Sequence, residues 1–212
     1  MGASENTNME RQIIAAAKQV FIEKGFTETC MNDIAVRVGI NRSGLHYYFR
    51  TKEKLFEAVF SDIVMSFIPS IHSIILQDKP IAERVAEIAD IYFDVFSKEP
   101  GFPFFIVREM QRNADYVLST IGKLDIGLYA ARVKEKMLSE MDKGTLRRMP
   151  IQFIIYTFFG LVTFPFLSKP LIEKAFLDSP VAFDGNLQSW KAYVIRQMVI
   201  LLTPDSRSGG SE

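Results

Sequence analysis

The sequence predicts an all-α protein: an N-terminal three-helix unit containing a helix-turn-helix, followed by a larger helical domain. Three observations predict it. Apolar residues recur at steps of three and four along almost the whole chain. Glycine, proline and short polar residues stand at the ends of those stripes, where helices start and stop. No stretch of useful length alternates as a strand would, and no internal repeat has a solenoid period. The expected boundaries are a disordered N-terminus at 1–8, the helix-turn-helix domain at 9–54, the larger helical domain at 55–204 and a disordered Gly/Ser-rich tail at 205–212.

From Met9 to Lys24 the stripe is Met9, Ile13, Ala16, Ala17, Val20 and Phe21, with Asn8 as the expected N-cap and Gly25 as the stop. Thr29 is placed to cap a short helix running to Val38, with Met31, Ile34, Ala35 and Val38 inward; Gly39 breaks it with a left-handed turn. Asn41 caps a second short helix, Arg42 to Phe49, and Thr51 caps a third with Leu55, Phe56, Val59, Phe60 and Ile63 on its core side. Pro69 limits or kinks that helix. Pro80 opens the next, which carries Ile81, Val85, Ile88, Ala89, Tyr92, Phe93 and Phe96 on one side. Further helices are expected at Phe104–Arg112, Ala114–Met141, Pro150–Leu167, Lys169–Leu177 and Leu187–Leu202, with a loop from Ser179 to Gly185.

Composition narrows the function. Lys+Arg 25 against Asp+Glu 25 excludes a non-specific polycation, so any nucleic-acid contact must come from a local patch. A single cysteine, Cys30, excludes a disulfide framework or a thiolate zinc cluster; it reads as a small near-surface helix residue. Two histidines, His46 and His72, leave little for a metal or catalytic centre, and no hydrolase, metalloprotease or phosphate-loop motif is present. No metal, no cofactor and no enzymatic activity are therefore expected. The polar N-terminus has no signal-peptide core, and the apolar run Ile151–Leu167 falls short of the roughly 20 residues of a bilayer span, so it is expected as a buried or interface helix.

The helices Thr29–Val38 and Arg42–Phe49, joined by a short glycine-containing turn, have the signature of a helix-turn-helix, whose second helix can lie in a major groove of double-stranded DNA. Residues 37–54 hold Arg37, Arg42, Arg50, Lys52 and Lys54 against Glu53, a net +4 that suits salt-dependent phosphate attraction. Ser43 and Gly44 leave room for close approach to DNA, and His46, Tyr47 and Tyr48 add hydrogen-bonding and aromatic groups.

Gly25-Phe26, Thr29 to Ala35 and the run Gly39-Ile40-Asn41-Arg42-Ser43-Gly44-Leu45-His46-Tyr47-Tyr48-Phe49-Arg50-Thr51-Lys52-Glu53-Lys54-Leu55 resemble the N-terminal domain of the TetR family of bacterial transcriptional regulators, over about residues 9–64. Asn41, Gly44, His46 and Cys30 depart from the residues usual there, which touches operator choice rather than fold. The resemblance implies a cytoplasmic, homodimeric, DNA-binding regulator. It implies that Thr29, Tyr47 and Lys52 contact phosphate and that Arg42, Ser43, Gly44 and His46 meet bases or backbone in the groove.

For the larger domain the resemblance implies ligand sensing and dimerisation, and the sequence adds two aromatic clusters. Phe93, Phe96, Phe105, Arg108, Arg112, Tyr129, Phe153 and Tyr156 are the pocket candidates, with an ordinary aromatic core as the alternative for each phenylalanine. Phe105, Arg108 and Arg112 share one helical face, so an anionic effector is expected if the arginines point inward, with Glu109 available to pair them. The dimer helices are expected at Met149–Phe166 and Leu187–Leu202, through Phe159, Trp190, Tyr193 and Met198. The expected function is a repressor released from a palindromic operator by a small hydrophobic or aromatic molecule; the alternative is a ligand-independent DNA-binding regulator or DNA-organising protein of the same fold.

Overall fold

The computed structural model describes residues 2–123, 126–176 and 181–204, and these are helical with no strand. The chain divides into two compact units: Met1–Ile68 with Gly101–Ile126, and Pro69–Pro100 with Gly127–Glu212. Residues 55–68 and 101–126, expected in the larger domain, both cluster with the N-terminal helices.

In the first unit, α1 (Gly2–Glu28) buries Ile13, Ala17, Val20 and Phe21 of the predicted stripe, with Met9 and Ala16 half-buried. It begins at Gly2, ahead of the expected start at Met9, so Asn8 lies inside the helix and not at its cap. Helical geometry is interrupted at Gly25, with φ 80 and ψ 172, a region that is essentially glycine-only. α2 (Met31–Val38) is entered through Cys30, one residue after the expected cap: Asp33 Oδ2 accepts the Cys30 N–H at 3.3 Å. Gly39, at φ 81, closes it, donating to the carbonyls of Ala35 and Val36.

Asn41 then caps α3 (Arg42–Tyr48), its side chain accepting the Gly44 N–H at 2.7 Å, and Thr51 caps α4 (Lys52–Met65) through the Lys54 N–H at 3.2 Å. Leu55, Phe56, Val59, Phe60 and Ile63 are buried, as the pattern predicts. α7 (Phe102–Arg112) packs on α1, and α8 (Ala114–Lys123) packs on α4 and α7. Two glycines permit the α1–α7 approach: a Cβ at Gly25 would lie 2.6 Å from Arg108 Cζ, and one at Gly101 would run into Ile22 Cγ2.

The second unit comprises α5 (Ile68–Ile75, from Pro69 on), α6 (Ile81–Lys98), α9 (Ile126–Asp142, from Gly127 on), α10 (Ile151–Phe176) and α11 (Val181–Leu202). α6 packs against α10 and α11, and its predicted face, with Val85, Ile88, Ala89, Tyr92, Phe93 and Phe96, is buried. The fully buried Arg84 closes the end of α5 and the start of α6. It donates to the carbonyls of Ile74 (2.7 Å), Ile75 and Lys79 and pairs with Glu140 at 2.8 Å. Glu140 in turn accepts the Ile81 N–H at 2.7 Å, so a side chain of α9 caps α6.

Two expectations change here, and a third lies partly outside the described residues. Ala114–Met141 is described as α8 and α9, with 124–125 outside the described residues. Pro150–Leu167 and Lys169–Leu177 form one helix that runs through Pro165 and Pro170 as far as Phe176, and α11 starts at Val181 inside the expected loop. At 26 residues α10 is long and apolar enough to cross a membrane by length and composition, as is the stretch Lys52–Ile75. The latter is broken between α4 and α5, while α10 buries Ile154, Phe158, Val162 and Phe166 within its own unit. The expected disordered tail at 205–212 lies outside the described residues, as do 177–180.

Candidate nucleic-acid interface

The helix-turn-helix puts its apolar residues inward and its polar ones outward. Leu45 and Phe49 are buried, holding α3 against the unit, while Arg42, Ser43 and Tyr47 are exposed, Tyr47 by 75%; Gly44 and His46 are half-buried. Five of the seven predicted contact residues thus share α3. The geometry gives Gly44 a reason independent of any ligand: a Cβ there would sit 3.3 Å from Asn41 Oδ1, the atom that caps the helix. Arg42 Nε donates to His46 Nε2 at 3.3 Å, and His46 Nδ1 lies 3.1 Å from the Arg50 carbonyl.

The other two predicted residues are placed differently. Thr29 is buried, its hydroxyl donating to the Gly25 carbonyl at 2.6 Å, so it is neither the helix cap nor an outward-facing group. The Lys52 ammonium donates to the carbonyls of Phe26 (2.9 Å), Thr27 (3.4 Å) and Thr29 (2.9 Å) and lies 4.5 Å from the Phe26 ring centre. It ties α4 to the last turn of α1 and to Thr29 just beyond it.

The patch is also thinner than its net +4 suggests. Arg37 pairs with Glu23 at 2.8 Å and Lys54 with Glu57 at 3.2 Å, both carboxylates lying outside residues 37–54. The Arg37 hydrogen bond holds the Glu23 carboxyl below its usual range, and Lys24, with help from Cys30, holds Asp33 down at about 2. Among the described residues no carboxylate stands within 4.0 Å of Arg42 or Arg50, which leaves these two as the available cations beside α3.

Sequence reasoning missed a cluster beneath this surface. Arg108 donates to the Phe21 carbonyl at 2.8 Å and to that of Ile22 at 3.3 Å, serving the end of α1. Glu109, fully buried, accepts the Phe26 N–H at 3.1 Å and the Arg112 Nε–H at 2.5 Å; Arg112 also lies 4.2 Å from the Phe26 ring centre. Glu109 does pair Arg112, as anticipated. Both arginines lie in the first unit with the buried Phe105, Arg108 serving α1 and Arg112 pairing Glu109, while Arg108 Nε and Arg112 Nη2 are buried with no hydrogen-bond partner among the described residues.

The remaining pocket candidates lie in the second unit. Phe93 and Phe96 are buried and meet Phe166, while Phe153 and Tyr156 are 54% and 70% exposed on the opposite side of α10. The buried aromatic partners are instead Tyr92 on α6, Phe158 and Phe166 two turns apart on one face of α10, and Phe183 near the start of α11. Tyr129 stacks on His72 at 4.2 Å. Of the interface candidates, Phe159 and Tyr193 are exposed, and Trp190 donates its indole N–H to the Leu161 carbonyl at 2.9 Å. Met198, 1% exposed, belongs to the core of its unit and not to an outer face.

Residues 13–59 match the sequence profile of the tetR family of bacterial regulatory proteins. The nucleoid occlusion factor SlmA of Mannheimia succiniciproducens is 33% identical over 79 residues, 37% of each chain. The transcriptional repressor NicS of Pseudomonas putida is 29% identical over 97 residues, 46% of each. The chain thus spans less than half the length of these curated relatives. Two solved structures share the fold at low identity: a TetR-family regulator from Marinobacter aquaeolei (TM-score 0.70, 14% identity, 94% of this chain and 98% of that one) and FadR from Bacillus subtilis in complex with stearoyl-CoA (TM-score 0.67, 16% identity, 90% and 98%). Profile, fold and the exposed α3 agree: residues 13–59 are an N-terminal helix-turn-helix domain of the tetR family of bacterial regulatory proteins, on a chain that shares the fold of TetR-family structures.

Proposed function

We propose that the protein is a homodimeric, DNA-binding transcriptional repressor, that α3 reads a palindromic operator, and that a hydrophobic or aromatic small molecule releases it. The observation that carries the reading is α3 itself: a capped helix anchored by Leu45, with Arg42, Ser43 and Tyr47 exposed and Arg42 and Arg50 free of carboxylates. Dimerisation draws support from the exposed apolar residues of the second unit, Ile155, Tyr156 and Phe159 on α10 with Tyr193, Val199 and Ile200 on α11, more than a lone surface needs. An apolar effector draws support from the aromatic interior around Tyr92, Phe96 and Phe166, and from the stearoyl-CoA bound by the B. subtilis neighbour. With Arg108 and Arg112 engaged on α1 and Glu109, the reading favours a ligand recognised by its apolar body.

Selection from a randomised duplex pool tests the first part: a recovered palindrome, bound by a dimer in sedimentation, is the expected result. Ile200→Glu should weaken both dimerisation and binding to that duplex. Neutral aromatics, fatty acids and acyl-CoA esters are then compared for their effect on duplex affinity. Tight, selective binding that no such compound alters would favour the ligand-independent alternative, which the stretch of similarity to SlmA keeps in view.

A further inference from the structure

We propose that His46 is a positioning residue, holding the Arg42 guanidinium ready for a base edge and so setting the base preference at the position Arg42 meets. The inference rests on the reading that α3 contacts DNA. Arg42 opens α3 and His46 follows one turn later, an i, i+4 pair on one face. The imidazole is held at both ends, with Nδ1 3.1 Å from the Arg50 carbonyl and Nε2 3.3 Å from Arg42 Nε. A carbonyl oxygen only accepts, so Nδ1 must carry the hydrogen; a guanidinium only donates, so Nε2 must present its lone pair. The two contacts therefore require the same neutral tautomer, and neither competes with the other.

The anchor of this arrangement is backbone. Arg50 lies in the turn that Thr51 ends by capping α4, so the carbonyl that orients the ring is fixed by helix packing rather than by another mobile side chain. Arg42 is exposed and, among the described residues, has no carboxylate within 4.0 Å, which makes His46 the side chain that restrains it. Because the contact uses Nε, the two terminal nitrogens stay free. They form the fork that fits guanine O6 and N7 in the major groove. An arginine restrained before binding loses less rotamer freedom when it binds. His46 thus acts through Arg42, and the favoured base is guanine.

The test compares wild type, Arg42→Ala, His46→Phe, His46→Ala, His46→Gln and the Arg42→Ala/His46→Phe double variant. Each is profiled on a randomised duplex pool and titrated with the wild-type consensus duplex, with helical circular dichroism as the check on folding. His46→Phe should lose guanine preference at the same position as Arg42→Ala, with affinity for the consensus falling by about tenfold. The double variant should bind no more weakly than Arg42→Ala alone. His46→Gln, whose amide oxygen accepts, should recover part of the preference. His46→Ala carries the same expectation as His46→Phe without added bulk. An unchanged profile in His46→Phe and His46→Ala, a change at a different base position, or losses that multiply in the double variant would overturn the proposal while leaving α3 as the DNA-reading helix. If Arg42→Ala changes neither profile nor affinity, the reading of α3 falls and the proposal falls with it.

Discussion

The indole N–H of Trp190 donates to the carbonyl of Leu161, the group that Pro165 leaves without its helical partner. In an uninterrupted α-helix the N–H of residue 165 would bond to the carbonyl of residue 161, and proline has no N–H to give. A proline inside a helix is expected to end or kink it. α10 continues through Pro165, and α11 supplies the missing donor at 2.9 Å. Trp190 is half-buried and stacks on Tyr193, so one side chain closes a gap in one helix while its ring extends the aromatic surface of the other.

Trp190→Phe should therefore cost about 0.5–1.5 kcal/mol, the net worth of one hydrogen bond to a partly buried acceptor. Pro165→Ala restores an N–H beneath the same carbonyl. In that background Trp190→Phe should cost clearly less, a coupling that thermal or urea unfolding of the four proteins would read. Equal losses in both backgrounds would remove the link between Trp190 and Pro165.

Gly25 is held by two constraints that separate in experiment. Its φ of 80 and ψ of 172 disfavour any side chain by about 1–3 kcal/mol, and the Arg108 guanidinium fills the space that a Cβ would need. Gly25→Ala should lower the melting temperature. Adding Arg108→Ala should return the steric part only, because the backbone strain persists. Full recovery in the double variant would mean that the backbone conformation carries no cost.

These cases show what was legible in the sequence and what was not. Local rules placed Asn41, Gly39 and Thr51, because caps and left-handed turns depend on a few neighbouring residues. The stripes of α1, α4 and α6 followed from spacing alone. What failed depended on partners distant in sequence. Lys52 is 23 residues from Thr29 and meets its carbonyl; Arg84 is 56 residues from Glu140; Arg108 is 87 from Phe21. Lys52 read as a phosphate contact and Arg108 as a pocket group until folding gave them carbonyls to serve, and nothing in the local pattern around Arg84 pointed to Glu140. The continuation of α10 through Pro165 was hidden for the same reason, since Trp190 compensates from another helix.

Burial lowers the affinity of His72 for a proton below its ordinary value of 6.5, and the charge of Arg132 adds to the effect. Its Nε2 is buried without a hydrogen-bond partner among the described residues, and Tyr129 stacks on the ring at 4.2 Å. The unfolded chain then binds the proton more readily than the folded one. The stabilisation is complete above pH 6.5 and is lost as pH falls through the lower folded value. His72→Phe keeps the stacking and removes the titration, so its melting temperature should fall less than that of wild type between pH 7.5 and pH 5. His46 is the only other histidine and is common to both proteins. Parallel pH profiles would show that His72 is as accessible to protons in the folded chain as in the unfolded one.

Lys52 and Arg50 lie two residues apart but should respond to salt in different ways. The Lys52 ammonium has three carbonyl partners, at Phe26, Thr27 and Thr29, whereas Arg50 is exposed and free of carboxylates among the described residues. A cation that neutralises a phosphate contributes about 0.9 to the log–log slope of affinity against salt. Arg50→Ala should flatten that slope by about this amount while leaving thermal stability almost unchanged. Lys52→Ala should do the reverse. Loss of its charge-assisted bonds should cost roughly 1–3 kcal/mol of stability, and the slope, taken well below the melting transition, should stay near the wild-type value. Affinity would still fall, through looser seating of α4 on the segment that leads into α2. A full unit lost from the slope in Lys52→Ala, with stability intact, would return the ammonium to the phosphate-binding role that the sequence alone suggests.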